Sequence, residues 1–350
     1  MVNVIDANLA RWVALETRRA QSIYQGALVG SSTQTKLTEL HAAILGAGIL
    51  RLTSQDVGVL LRYEAGVCER DPGGNLAQWL NQILASPRGR MTYEAYLGLR
   101  LVGDFSMPGG ALWTAYGLAR RLRGELLVRR GAARIAAARK RDVDLLYVAL
   151  EELVFGDNIV MPEGIDGEFW RRLSVVPFTS KDDEILFIRI TQICEVLYRE
   201  VAWWLDRASA EAPTDGNAAC QSIERAVTRL TILRNALQSL RTLQMGEFEQ
   251  IRAATYGASA LQSRGFANAI EAGLRLSESV VDQSYDGIFY AVGRLELAWR
   301  RINLMHMGLA VRLVKQRPGT GGTSGVTYLA DRVSLRLVPN IPVLGLQEGV

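Results

Sequence analysis

Apolar positions along this chain repeat at three- and four-residue steps, the spacing that lines up one face of an α-helix. In residues 1–90, Trp12, Leu15, Ala20, Ile23 and Leu28 give one such face, His41 to Leu52 a second, and Val57 to Tyr63 with Leu76 to Leu84 two shorter ones. Turn formers separate them at Gly30-Ser31-Ser32, Asp71-Pro72-Gly73-Gly74 and Ser86-Pro87-Arg88-Gly89. Between Arg120 and Arg141, Leu122, Leu126, Leu127 and Ile135 interleave with basic residues and predict amphipathic helices. Residues 142–156 predict a further helix, and residues 158–170 a loop. Two long runs, Asp182–Ala208 and Ala218–Met245, contain neither Gly nor Pro, and Ser209–Asn217 predicts the loop between them. The second run is long enough for a helix of about 40 Å at roughly 1.5 Å per residue. Gly265 to Ser284 is helical by pattern and leads into a helix carrying Leu295, Ile302, Met305, Leu309 and Leu313, which Pro318-Gly319 stops. Pro339 and Pro342 leave 336–350 as an irregular tail.

With 350 residues, 49% of them hydrophobic, the chain can bury a core in one large or two modest domains. No apolar run approaches the roughly twenty residues that span a bilayer. The start, MVNVIDANLARW, lacks the charged and apolar blocks of a signal peptide, so a cytoplasmic, non-membrane protein is expected. Cys68, Cys194 and Cys220 are odd in number and widely spaced, which fits reduced thiols and excludes a disulfide framework. A net charge of +4 is no nucleic-acid footprint. The local exception is the run Arg120, Arg121, Arg123, Arg129, Arg130, Arg134, Arg139, Lys140 and Arg141 against Glu125. It reads as the solvated side of helices before it reads as a patch for phosphates.

The chemistry-bearing stretch is Trp299–Gly325. His306, one of two His in the chain, sits among Leu304, Met305, Met307, Leu309 and Ala310. That setting suits either a core His bonded to a carbonyl or a neutral imidazole ligating heme iron. The loop Gly319–Gly325 reads alone as a flexible linker and is no phosphate loop, since no Lys-Ser/Thr pair follows its glycines. His41, alone on an apolar helix, reads as a satisfied core His.

A helix bearing a buried His, followed fourteen residues later by the Thr of a GTGG[ST]SG loop, resembles the tryptophan 2,3-dioxygenase superfamily of heme proteins. Three further segments are similar to that family in the same order. MTYEAYLGLRL from Met91 is similar to its LTYGGYLRL. DDEILFIRITQICEVLYRE from Asp182 is similar to its DE-x-LFI-xxx-HQ-xxELW helix. LQMGEFEQIRAATYGASALQS, from Leu243 to Ser263, is similar to the segment ending in SGFQS, here ALQS with Leu261 in place of Phe. Residues 104–178 depart from the family as an insertion that either covers the substrate entrance, alters oligomerisation or packs outside.

The resemblance implies an all-α helical bundle enclosing heme. A core domain over 91–335 would carry the 104–178 insertion, an N-terminal helical extension over 1–90 and a C-terminal tail. It implies non-covalent heme b with His306 as the iron ligand and Gly321 beside the cofactor. Arg252 would hold a substrate carboxylate and Thr320 its ammonium group. Phe187, Phe248, Tyr93, Tyr96 and Leu97 would line the ring pocket, the tyrosines being supplied to a neighbouring subunit in a homo-oligomer, a tetramer or dimer. Thr191 stands where the family has a distal His, and related indoleamine 2,3-dioxygenases use Ser there. The implied reaction inserts both atoms of dioxygen across the indole C2–C3 bond of tryptophan or a modified tryptophan. The alternative keeps heme and an aromatic amino acid but transfers one oxygen atom, from dioxygen or peroxide. A heme carrier without turnover and a nucleic-acid binder are weaker readings, since a carrier has no use for Arg252 and Thr320.

Overall fold

The computed structural model describes residues 31–68, 74–85, 91–102, 109–128, 133–156, 159, 166–255, 260–281, 286–315, 317–319 and 323–341. The face from Trp12 to Leu28 lies outside them. Among the described residues every regular element is helical and there is no strand. Five helices precede the insertion: α1 (Ser31–Ala47), α2 (Ser54–Cys68), α3 (Asn75–Ala85), α4 (Tyr93–Leu97) and α5 (Leu99–Val102). Residues 104–178, expected to be an insertion, hold α6 (Gly110–Val128), α7 (Ala133–Gly156) and α8 (Asp166–Leu173). The long α9 (Asp182–Glu211) and α10 (Gly216–Ser239) come next. Then follow α11 (Met245–Ala254), α12 (Arg264–Val280), α13 (Asp286–Leu313) and α14 (Val326–Val333). No helix among the described residues is long and apolar enough to cross a membrane.

The chain divides into two compact units, each assembled from separated segments. The first comprises residues 1–103, 164–188 and 246–262; the second comprises 104–163, 189–245 and 263–350.

In the first unit Leu37, Leu40 and Ile44 of α1, Leu60 and Tyr63 of α2, and Trp79, Leu80 and Ile83 of α3 share one core with Trp170 and Leu173 of α8. The chain from Leu173 to Phe178 is the spine of this unit. Trp79 Nε1 donates to the Leu173 carbonyl at 3.0 Å, Gln82 Nε2 to the Ser174 carbonyl at 2.8 Å, and His41 Nε2 lies 2.7 Å from the Val175 oxygen. His41 is therefore a satisfied core His. The backbone N–H groups of Ile49 and Leu50 reach the carbonyls of Pro177 and Phe178 at 2.9 and 3.1 Å. Part of the insertion thus builds this core, which none of the three roles expected of it included. The predicted loop over 158–170 is corrected by α8, whose Trp170 and Leu173 are buried in that core.

In the second unit α6 packs on α7, α10 on α7 and α13, and α14 on α13. Ile223, Ala226, Val227, Leu230, Leu233 and Ala236 give α10 its buried stripe, and Asp215 caps its first turn by accepting from Ala218 N at 3.0 Å. The predicted loop over 209–217 is shorter than expected, because α9 continues to Glu211. The predicted uninterrupted helix to Met245 ends instead at Ser239, followed by a 3-10 turn over Leu240–Thr242 and extended Leu243. Side chains from other elements explain the break. Arg139 donates to Thr242 Oγ1 and its carbonyl at 3.0 and 2.9 Å, and Arg312 donates to the carbonyls of Arg241 and Leu243.

Within the basic run, Arg129 and Arg130 lie outside the described residues, and three of the others are held. Arg139 is buried, Arg123 and Lys140 share Asp144 at 2.7 and 2.5 Å, and Glu125 pairs with Arg189 of α9 at 2.8 Å. Beyond α14 the chain returns to α13, where buried Glu296 accepts from Leu337 N at 3.2 Å and Val338 N at 2.6 Å.

Candidate functional site

Within the first unit, α4 is short because its ends are fixed. Thr92 caps its start by accepting from Ala95 N at 3.2 Å, and Gly98 ends it in the left-handed region at φ 58°. A side chain at Gly98 would meet the Ser174 carbonyl and the Gln82 amide. This geometry buries Tyr93, Tyr96 and Leu97 on the side facing Val175, Phe178, Ile185 and Ile188. Tyr93 N donates to Gln262 Oε1 at 2.8 Å, which ties α4 to the 3-10 turn Ala260–Gln262.

Tyr96 is the hub. Its ring centroid lies 5.5 Å from Phe178 and 6.4 Å from Phe187 of α9, and Phe187 meets Phe248 of α11 edge-on at 5.6 Å. Phe187 and Phe248 are half-buried, so they form the accessible side of this aromatic wall. Arg252, also half-buried, follows Phe248 by four residues and so shares its face of α11. Leu97 is wholly buried, so it supports the wall from behind and offers no surface to a ligand. Tyr96 reaches Phe187 within one chain; this contact needs no neighbouring subunit.

Sequence reasoning missed Glu184. Its carboxylate is fully buried and accepts from Phe178 N at 2.8 Å, Thr179 N at 2.7 Å, Thr179 Oγ1 at 2.6 Å and Tyr96 Oη at 3.2 Å. Burial raises its pKa above the usual carboxylate value against the pull of these bonds. Burial and the Glu184 charge together push the Tyr96 phenol well up, so it stays a donor. In sequence, Asp182-Asp183-Glu184 reads as the acidic first turn of a helix, which hides a hydrogen-bonding role.

In the second unit, Thr191 of α9 is half-buried and Cys194 is buried, with its thiol pushed up by desolvation. Buried Glu195 holds the start of α12, accepting from Ser263 Oγ and Gly265 N at 2.5 Å each. Tyr198, Phe266 and Trp299 form a second aromatic group, with Phe266 stacked on Trp299 at 5.4 Å.

His306 is not the buried core residue expected. It is exposed on α13, and no described residue hydrogen-bonds its ring. Surrounding protein nevertheless strips enough hydration to hold the imidazole below its usual pKa, so it is neutral near pH 7. Thr320 and Gly321 lie outside the described residues. The flanks of their loop are ordered by hydrogen bonds, Gly319 N donating to the Thr323 carbonyl at 2.9 Å and Leu329 N to that of Gly325 at 3.2 Å. The structure thus gathers Tyr96, Phe187, Phe248 and Arg252 into the first unit, while Thr191 and His306 belong to the second. No family model, curated protein or solved structure matches the chain.

Proposed function

We propose that this chain is a heme-dependent oxygenase acting on tryptophan or a tryptophan-derived aromatic amino acid and inserting dioxygen at the indole C2–C3 bond. The observation that carries this reading is the meeting of three sequence-distant segments in one unit, where Tyr96, Phe187 and Phe248 form a wall and Arg252 stands one helical turn from Phe248. An aromatic amino acid supplies both complements: a ring for the wall and a carboxylate for the planar guanidinium fork.

The donor chemistry fits heme. No group of three or more His, Cys, Asp or Glu able to hold a bare metal ion occurs among the described residues. A lone neutral imidazole such as His306 would hold the iron of a heme, whose porphyrin brings the remaining nitrogen donors with it. When bound, heme supplies the iron at which dioxygen is activated. The remaining roles belong to the chain. Arg252 fixes the carboxylate, Thr320 the ammonium group, and Phe187 with Phe248 orients the ring and excludes water. Gly321 lets the main chain approach the cofactor closely. Thr191 donates or accepts a hydrogen bond but cannot serve as a base near pH 7.

That property of Thr191 favours a second reading, a one-oxygen transfer giving an oxindole or a ring-hydroxylated amino acid. The test is an absorption spectrum of heme-supplemented protein, reduced without air, with and without L-tryptophan, followed by air and product mass. A His-ligated spectrum that responds to tryptophan and a product gaining two oxygen atoms supports the dioxygenase; a gain of one supports the second reading. Unchanged heme binding by His306→Ala removes the ligand assignment and the mechanism with it.

A further inference from the structure

A second face of α13, away from His306, borders a cavity. Relative to His306, at about 100° per residue, Arg301, Leu304, Gly308 and Arg312 point to the opposite side of the helix. There, within the second unit, α13 and the C-terminal end of α10 enclose an open cavity of about 480 Å³. Its lining combines Arg234, Arg241, Arg301 and Arg312 with the apolar Leu304, Met305 and Leu309. Leu304 is 43% exposed there, a large apolar side chain left open to water on an otherwise basic surface.

The charge is uncompensated along both contributing segments. From Arg225 to Gly246 there is no Asp or Glu, and from Leu297 to Ala330 there is again none. Arg312 is held by the carbonyls of Arg241 and Leu243. Arg241 Nε makes a long contact of 3.4 Å to the Gln238 carbonyl. Arg234 and Arg301 make no hydrogen bond or ion pair with any described residue. Four guanidinium groups lining one cavity with no carboxylate among them, beside apolar side chains, match one ligand chemistry: an anionic head on an apolar body.

We infer that this cavity binds a small amphipathic anion, a phosphate or carboxylate carrying an aliphatic or aromatic group, at a site separate from the His306 face. Arg234 and Arg301 bind the head, Arg241 and Arg312 set the positive field, and Leu304, Met305 and Leu309 take the body. The size of the cavity fits a single dissolved ligand rather than an extended surface.

The test is calorimetric titration of the full chain with dodecyl phosphate kept below its micelle-forming concentration, beside inorganic phosphate. Saturable one-to-one binding is expected, at least tenfold tighter than phosphate alone. It weakens at least tenfold in the double variant Arg234→Gln/Arg301→Gln and at least threefold in Leu304→Asp. Because neither arginine has a described partner, thermal unfolding of the double variant should match the parent, which separates lost binding from lost fold. His306→Ala should bind dodecyl phosphate as the parent does, so failure of the heme reading leaves this site standing. Undiminished binding by the double variant, or capture by phosphatidylglycerol vesicles with no binding of monomeric dodecyl phosphate, overturns the proposal.

Discussion

Glu184 and Tyr96 hold the aromatic wall in register through one hydrogen bond, and each has a measurable signature. Tyr96→Phe leaves the ring contacts and removes a donor to a buried carboxylate, so urea unfolding should show a loss of about 1–3 kcal/mol. A loss below the error of such a measurement would mean that Glu184 is satisfied by Phe178 and Thr179 alone. Glu184 also links stability to pH. Its folded pKa lies above the ordinary 4.5, so the folded chain binds this proton more tightly than the unfolded chain does. Its favourable contribution is complete below pH 4.5 and is lost as pH rises through the folded value. Glu184→Gln should flatten that decline in urea midpoints, and parallel curves for the two proteins would exclude Glu184 as its source. His306 shifts the other way, down from 6.5, because the surrounding protein removes part of the hydration of its charged form. Heme affinity should therefore persist as pH falls to 6.5 and drop only below it; an affinity already halved at 6.5 would show an imidazole of ordinary basicity.

At the scale of elements, helix ends decide where site residues point. Gly98→Ala forces a side chain into the left-handed region and against the Ser174 carbonyl and Gln82 amide, with no flexible neighbour to yield on the carbonyl side. A loss of about 2–4 kcal/mol is expected, together with altered aromatic near-UV dichroism as Tyr96 moves; a stable variant with an unchanged spectrum would show that α4 tolerates another exit. Much of the element plan was legible, because α9 and α13 are runs whose apolar period and terminal breakers agree. The break after Ser239 was not legible, since Leu240, Arg241 and Thr242 carry no turn signal and the cause is guanidinium groups arriving from Arg139 and Arg312. α8 was hidden by the Gly and Pro residues before it. Around the aromatic wall, Phe248 and Arg252 were legible as neighbours on one helix face, being four residues apart. Glu184 was not, because its role exists only once residues 178 and 179 fold back over the start of α9, and the exposure of His306 was masked by its apolar sequence neighbours.

For the whole molecule, the stretch around Trp170–Phe178 belongs to the core of the first unit. Trp170 and Leu173 lie in the same core as Leu37 and Trp79, and the following carbonyls bind Trp79, Gln82 and His41. Trp170→Ala should cost about 3–5 kcal/mol by thermal or urea unfolding, as for a large core aromatic. A change under about 1 kcal/mol would assign the core of the first unit to α1–α3 alone. Cys194 gives the molecule a built-in clock. Its thiol is buried on α9 three residues beyond Thr191 and is held protonated, whereas Cys68 and Cys220 are half-accessible. A maleimide reagent should therefore modify two thiols promptly and the third only as fast as α9 opens, so the slow phase of labelling times the opening of the helix that carries both Phe187 and Thr191.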